Sequence, residues 1–311
     1  MNPAWSVVFL TTLIGAGQGL VLALYTAELA GAGADGAARA FLAQGAAVAV
    51  LLAAAGLAAS FFHLGRPARA WRSAAMWRTS WLSREVIALP AFLGMAALCW
   101  AALRWGGTLS QLLACVLLAL AAAVLWVCTA MIYAGVRFIR EWATPWTLVN
   151  FVLMGLASGF ILAALLFAWQ GLPVRALVAS ALALTLAAAL ARTALFLRNA
   201  RLQPAGSLAT AIGVRSGAIQ QISRGFTAGS FNLHEFTHGA SAMRVAAVQV
   251  GFAVLGFVLP LALLGTAAGA AQPTAWLLAA WLLHMAGLVL ERWWFFAQVN
   301  HPQNRYYAAA H

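Results

Sequence analysis

The chain has 311 residues, of which 64% are hydrophobic and only 8% charged, and its mean hydropathy is +0.90. Soluble globular proteins carry about 45–50% apolar and about 25% charged residues, so a water-soluble fold is excluded and lipid must be the solvent. The net charge is +12 and every basic residue is arginine. In a soluble protein that balance would suggest nucleic acid as a partner. Here the arginines lie between apolar runs, where topology and docking account for them, and no nucleic-acid partner is expected.

A transmembrane helix needs about 20 predominantly apolar residues. Runs of that kind lie near 5–30, 41–62, 85–103, 109–133, 148–169, 174–197, 245–269 and 274–296. The expectation is an all-α integral membrane protein with eight transmembrane helices in two four-helix bundles, forming one polytopic domain over 1–311. The first run does not read as a signal peptide, because no positive side chain precedes Arg39 and the run is too long for an h-region. Cys99, Cys115 and Cys128 all sit in apolar runs without a CxxC pair. They read as small core residues, not as ligands of a four-cysteine cluster or zinc site.

Arginine placement sets the orientation. The loops after runs two, four and six, with the C-terminal end counted from Arg292 at the close of run eight, hold fourteen arginines; the opposite side holds Arg39, Arg104 and Arg175 at the start of run six, and Arg192 falls inside run six. By the positive-inside rule both termini and the arginine-rich face are cytoplasmic. The long loops, about 63–84 and 198–244, lie on that same face. Long loops tend to carry function. Arg66, Arg72, Arg78, Arg137, Arg140, Arg215 and Arg224 are therefore the candidate docking residues for a partner.

Between runs two and three the chain reads SFFHLGRPARAWRSAAMWRTSWLSREV, from Ser60 to Val86. Gly65 and Pro67 interrupt the helix after His63. Arg66, Arg69 and Arg72 follow at three-residue spacing, which suits one face of a short interfacial helix. Trp71, Trp77 and Trp81 suit headgroup depth. Ser83 is a candidate cap for the third helix, with Glu85 in its first turn. A histidine and a carboxyl group at this depth suit a quinone site, which needs a hydrogen bond to a ring carbonyl and a group that exchanges protons. The alternative is that His63 and Glu85 only cap helices or pair with arginines. Gln18, in the middle of run one, either lines the same pocket or makes an interhelical hydrogen bond.

Two other signals carry less. His234-Glu235-Phe236-Thr237-His238 is a literal HExxH, but its flanks are loop-like and no suitable third zinc ligand follows. Haem would need two axial ligands, and only His63 and His284 lie in or beside the apolar runs; His284 reads as a core histidine. No metal site is assigned.

The run HLGRPARAWRS with SWLSREV resembles the membrane-anchor subunits of dimethyl sulfoxide reductase and its relatives, including the cytoplasmic sulfite dehydrogenase. The resemblance extends to the first run with Gln18, to the loop GVRSGAIQQISRGFTAGSFN…HEFTHG and to the tail ERWWFFAQVNHPQNRYY, and these last two favour the sulfite dehydrogenase branch. It implies an eight-helix, quinone-reactive subunit of a bacterial inner-membrane complex. That subunit would anchor an iron–sulfur electron-transfer subunit and a molybdopterin catalytic subunit, and its own cofactor would be ubiquinone or menaquinone. It also implies quinol binding at the residues matching His63, Glu85 and Arg69, beside which Ser83 and Gln18 complete the candidate site. The competing class is a transporter, against which the polar groups gather at one interface instead of the midplane.

Overall fold

The computed structural model describes residues 3–32, 36–62, 64–203, 208–214, 219 and 240–299. Among them are eight helices long and apolar enough to cross a membrane: Trp5–Ala30, Phe41–Phe61, Trp81–Trp105, Thr108–Ala134, Pro145–Trp169, Arg175–Ala200, Ala242–Gly269 and Thr274–Ala297. The protein is an all-α integral membrane protein. In chain order the elements are α1 (Trp5–Ala27, continued by a π turn over Glu28–Ala32), α2 (Gly36–Phe61), a 3₁₀ segment (Pro67–Met76), α3 (Trp81–Trp105) and α4 (Thr108–Ala134). There follow α5 (Pro145–Trp169), α6 (Arg175–Ala200), the short α7 (Leu208–Ile212), α8 (Ala242–Ala253), a π turn (Val254–Val258), α9 (Leu259–Gly269) and α10 (Thr274–Ala297). The α8–π–α9 unit is the seventh span.

The spans group into two rings of four. In the first, α1 packs on α2, α2 on α3, α3 on α4 and α4 on α1; in the second, α5 packs on α6, α6 on α9, α9 on α10 and α10 on α5. The rings meet where α1 lies along α5, with α4 also touching α5 and α10 touching α1. The contact pattern thus maps onto itself when the two halves are exchanged.

Lipid offers no hydrophobic drive for one helix to seek another, so close packing between small residues does the joining. Gly15 and Gly19 in α1 face Gly155 and Gly159 in α5. A Cβ on Gly19 would land on the Gly155 carbonyl, and one on Gly159 would land on the Gly19 backbone. Both helices therefore carry a G-x-x-x-G step at the crossing.

The third span starts earlier than the apolar run suggests. Ser80, not Ser83, is its N-cap: the Ser83 N–H donates to Ser80 Oγ at 3.4 Å. Glu85 consequently lies beyond the first turn, inside the helix. Just before it, the 3₁₀ segment has three residues per turn, so positions i and i+3 eclipse. Arg69 and Arg72 align on one face, and Arg66 is the segment's N-cap. Arg84 fastens the connection, donating from Nε to the Trp77 carbonyl (2.9 Å) and from an Nη to the Arg78 carbonyl (2.8 Å) while lying over the Trp81 ring.

The glycine crossing predicts a position-specific intolerance to one methyl group. Gly19→Ala and Gly159→Ala should each lower stability by at least about 1–3 kcal/mol, the range for overpacking. Gly94→Ala, where nothing lies within 4 Å of the added Cβ, should be neutral or slightly stabilising. Thermal unfolding of the three variants in one detergent makes the comparison.

Candidate functional site

Where the two rings meet, polar side chains from five helices surround a small cavity. α1 contributes Thr11, Thr12 and Gln18, α3 contributes Glu85, α4 Thr129, α5 Ser158 and α10 Arg292, with Trp126, Phe151 and Met154 as apolar walls. Each position is set by its distance from one end of the bundle. Glu85 lies four residues after the start of α3, Thr129 five before the end of α4, and Arg292 five before the end of α10. Those ends share the arginine-rich face, so the cavity lies toward that face and not at the midplane.

Glu85 is 9% exposed, and its Oε1 accepts a 2.5 Å hydrogen bond from the Thr129 hydroxyl. Its Oε2 has no hydrogen bond among the described residues. Gln18, also buried, donates from Nε2 to the Ala122 carbonyl at 2.9 Å, which orients its amide and ties α1 to α4. The Ser158 hydroxyl is held by its own helix, on the Met154 and Gly155 carbonyls. The cavity offers about 20 Å³ to a water molecule, and a single water needs about 10–15 Å³ and two to four polar partners. It is a place for water beside a carboxyl group.

The second half carries a buried charge cluster that the sequence alone does not assemble. Arg192 of α6 pairs with Glu291 of α10, Nε to Oε1 at 2.6 Å, and Arg292 reaches the other Glu291 oxygen at 3.5 Å. All three are under 5% exposed. The Arg292 guanidinium lies 3.8 Å from the centre of the Phe151 ring and donates to Met154 Sδ at 3.2 Å. Arg292 also lines the polar cavity, so the cluster borders the space that Glu85 faces. A signal was present in the sequence: ionisable residues inside membrane spans are expected to pair with one another. Arg192 lies eight residues from the end of α6 and Glu291 six from the end of α10, so their depths match.

Beside the cavity an aromatic cluster closes the arginine-rich end. Tyr133 is ringed by Trp142, Phe151, Phe295 and Phe296 at 5.3–5.8 Å between centroids, and Trp142 Nε1 donates to the Phe295 carbonyl.

Of the sequence-predicted site residues, Gln18 and Glu85 come together on the cavity. Ser83 is buried on α3 but does not line it, and Arg69 is exposed on the 3₁₀ segment. His63 lies outside the described residues. Among the docking candidates Arg66, Arg72, Arg78, Arg137 and Arg140 are exposed, and Arg215 and Arg224 lie outside the described residues, as do His234 and His238. Arg140 also acts locally, donating to the Gln203 carbonyl, and its own carbonyl accepts from Arg198. His284, fully buried, has its Nδ1 2.6 Å from the Gly256 carbonyl oxygen. Cys99 and Cys115, sixteen residues apart, bring their Sγ atoms to 3.3 Å.

An eight-span bundle with a carboxyl group buried near one face defines a membrane protein that handles charge within lipid. Residues 1–298 match the family described as DMSO reductase anchor subunit (DmsC), and the chain belongs to that family. It is 47% identical, over 322 aligned positions, to the C subunit of the sulfite dehydrogenase of Allochromatium vinosum, with 99% of each chain covered. No solved structure matches it.

Breaking a buried ion pair by removing one partner leaves an uncompensated charge and costs about 3–5 kcal/mol. Glu291→Ala, which strands two guanidinium groups, should therefore destabilise by about that amount. Arg192→Leu combined with Glu291→Leu should recover part of the loss, and thermal unfolding in detergent distinguishes the two variants.

Proposed function

We propose that the chain is the quinone-reactive anchor of a molybdopterin oxidoreductase complex, exchanging electrons between a docked iron–sulfur subunit and membrane quinone. The relative is named as a sulfite dehydrogenase component, which favours the direction in which sulfite oxidation supplies electrons and ubiquinone or menaquinone is reduced. The second reading, suggested by the family description, is a DMSO reductase-type anchor that oxidises menaquinol. The observation that carries the proposal is Glu85, a carboxyl group buried at the junction of the two halves, bonded to Thr129 and facing a cavity of water size.

Conversion of a quinone to a quinol takes up two electrons and two protons. The cavity is too narrow for a ring, since pockets for small organic ligands run to about 300–1,000 Å³, but its residues fit proton handling. Glu85 holds or releases a proton at Oε2. The Thr129 hydroxyl fixes the rotation of the carboxyl group, and Gln18, Thr11 and Thr12 supply polar partners for the water between. The ring then docks toward the arginine-rich face, with His63 and Arg69, from the stretch leading into α3, assigned as its polar contacts and Ser83 as a further site residue on α3.

Docking of the iron–sulfur subunit uses the exposed Arg66, Arg72, Arg78, Arg137 and Arg140, with Arg215 and Arg224 assigned by their loop. That subunit and the molybdopterin subunit lie on the cytoplasmic side of a bacterial inner membrane, with both termini of this chain, as the arginine asymmetry supports. The chain supplies no substrate-converting metal centre in this reading.

The test is turnover of the complex purified from its native membrane. Glu85→Gln should lower quinone-linked turnover by at least about 100-fold, the scale of a lost acid–base group, with dye-linked turnover and subunit assembly retained. Thr129→Val should lower it by about tenfold, equivalent to ~1.4 kcal/mol. Unchanged quinone-linked turnover in Glu85→Gln would overturn the assignment.

A further inference from the structure

Arg192 is 2% exposed, yet only part of its guanidinium is satisfied. Nε pairs with Glu291 and the group lies over the Phe252 ring at 5.2 Å, but Nη1 and Nη2 have no hydrogen-bond acceptor among the described residues. A buried donor without a partner costs about 1–3 kcal/mol, and more when charged. The residue lines a cavity of about 400 Å³ between α6 and the seventh span, walled by Ala189, Phe196, Gln249, Ala253 and Phe257. That volume is twenty times what the Glu85 cavity offers on the same measure, and it falls in the range of small-molecule pockets.

The cavity wall is shaped by a local irregularity with identifiable causes. The π turn Val254–Val258 widens the seventh span at this point. Its Gly256 carbonyl oxygen lies 2.6 Å from His284 Nδ1, and a Cβ on Gly287 would fall on the Gly256 nitrogen, so α10 presses against the turn. Single π turns inside α-helices recur at functional sites.

Three observations select the occupant. The rim residues Val250 and Val258 are exposed on the outside of the bundle, so a ligand enters from the hydrocarbon. Arg192 lies eight residues, about 12 Å, from the end of α6. That 26-residue helix is about 39 Å long against a hydrocarbon core of about 30 Å, which puts the guanidinium well below the phosphate layer. Finally, Arg192 already faces a carboxyl group in Glu291, so an uncharged acceptor can meet its Nη donors. A lipid phosphate fails on depth, whereas a neutral ring carbonyl with an apolar tail reaches the guanidinium from the hydrocarbon.

We propose that the groove between α6 and the seventh span is a second quinone-class site, separate from the Glu85 cavity, in which Arg192 Nη1 and Nη2 hold a ring oxygen and Phe252 and Phe257 flank the ring. The proposal rests on the reading that this chain works with membrane quinone.

The experiment is photolabelling of the whole complex, in its native lipids, with an azido-substituted short-tail quinone, the attachment points being mapped by peptide mass spectrometry. Label is expected on peptides spanning 189–196 and 249–258, apart from any near Glu85. Ala189→Phe, which fills the groove without touching the ion pair, should lower the groove label by about tenfold and leave label near Glu85 in place. Arg192→Lys, which keeps a cation for Glu291 but removes the forked donors, should lower it comparably. Label near Glu85 with none in the groove would overturn this inference and leave the proposed function standing. Groove label unaffected by both variants, or a phospholipid recovered from the groove in place of the probe, would also overturn it. No specific label anywhere would remove the quinone reading on which both rest.

Discussion

Between Gly19 of α1 and Gly155 and Gly159 of α5 there is no room for a side chain, and the placement of the polar groups follows from that contact. With the two backbones touching, residues on the same faces are held close around the crossing. Gln18 and Ser158 flank it, and Thr11, Thr12, Phe151 and Met154 lie a turn or two toward the arginine-rich face. α3 and α4 then bring Glu85 and Thr129 in from one half, and α10 brings Arg292 from the other. The cavity is a product of the junction, since neither ring of four encloses it alone. A single close approach, made possible by two G-x-x-x-G steps, fixes both the pairing of the halves and the geometry of the carboxyl site.

Charge within lipid is the second constraint. A carboxylate or guanidinium at this depth is tolerated only where it is paired or faces water, and the two halves meet that demand differently. In the first, Glu85 is bonded to a hydroxyl and faces a water-sized space. In the second, Glu291 is engaged by two arginines, which makes it a poor proton carrier and a good structural anchor. In the proposed reading the chemistry therefore falls to Glu85, while Glu291 holds Arg192 and Arg292 in place.

The spans were legible because membrane helices announce themselves by length and apolarity alone, and the observed boundaries differ from the apolar runs by only a few residues. The Glu85 site was legible in part, because a histidine, a proline and a carboxyl group cluster within one short stretch of chain. Its depth was not, for a local reason: Ser80 caps α3 and draws Trp81–Arg84 into the helix, carrying Glu85 further inside. Beyond Gln18, the contacts between distant spans could not be read. Almost uniformly apolar helices have no amphipathic stripe to show which face meets which neighbour, so the pairing of Arg192 with Glu291 and the approach of Cys99 to Cys115 were hidden. The π turn was hidden as well, because the contacts it makes through Gly256 are with His284 and Gly287 of α10, distant in the sequence.

Arg292 is the residue through which the charge cluster of the second half reaches the cavity at the junction. It lines the Glu85 cavity, lies over Phe151 of α5 and shares Glu291 with Arg192, whose free donors face the wider groove. The narrow cavity and the wide groove are therefore structurally joined: Arg292 lines the one, Arg192 lines the other, and Glu291 engages both.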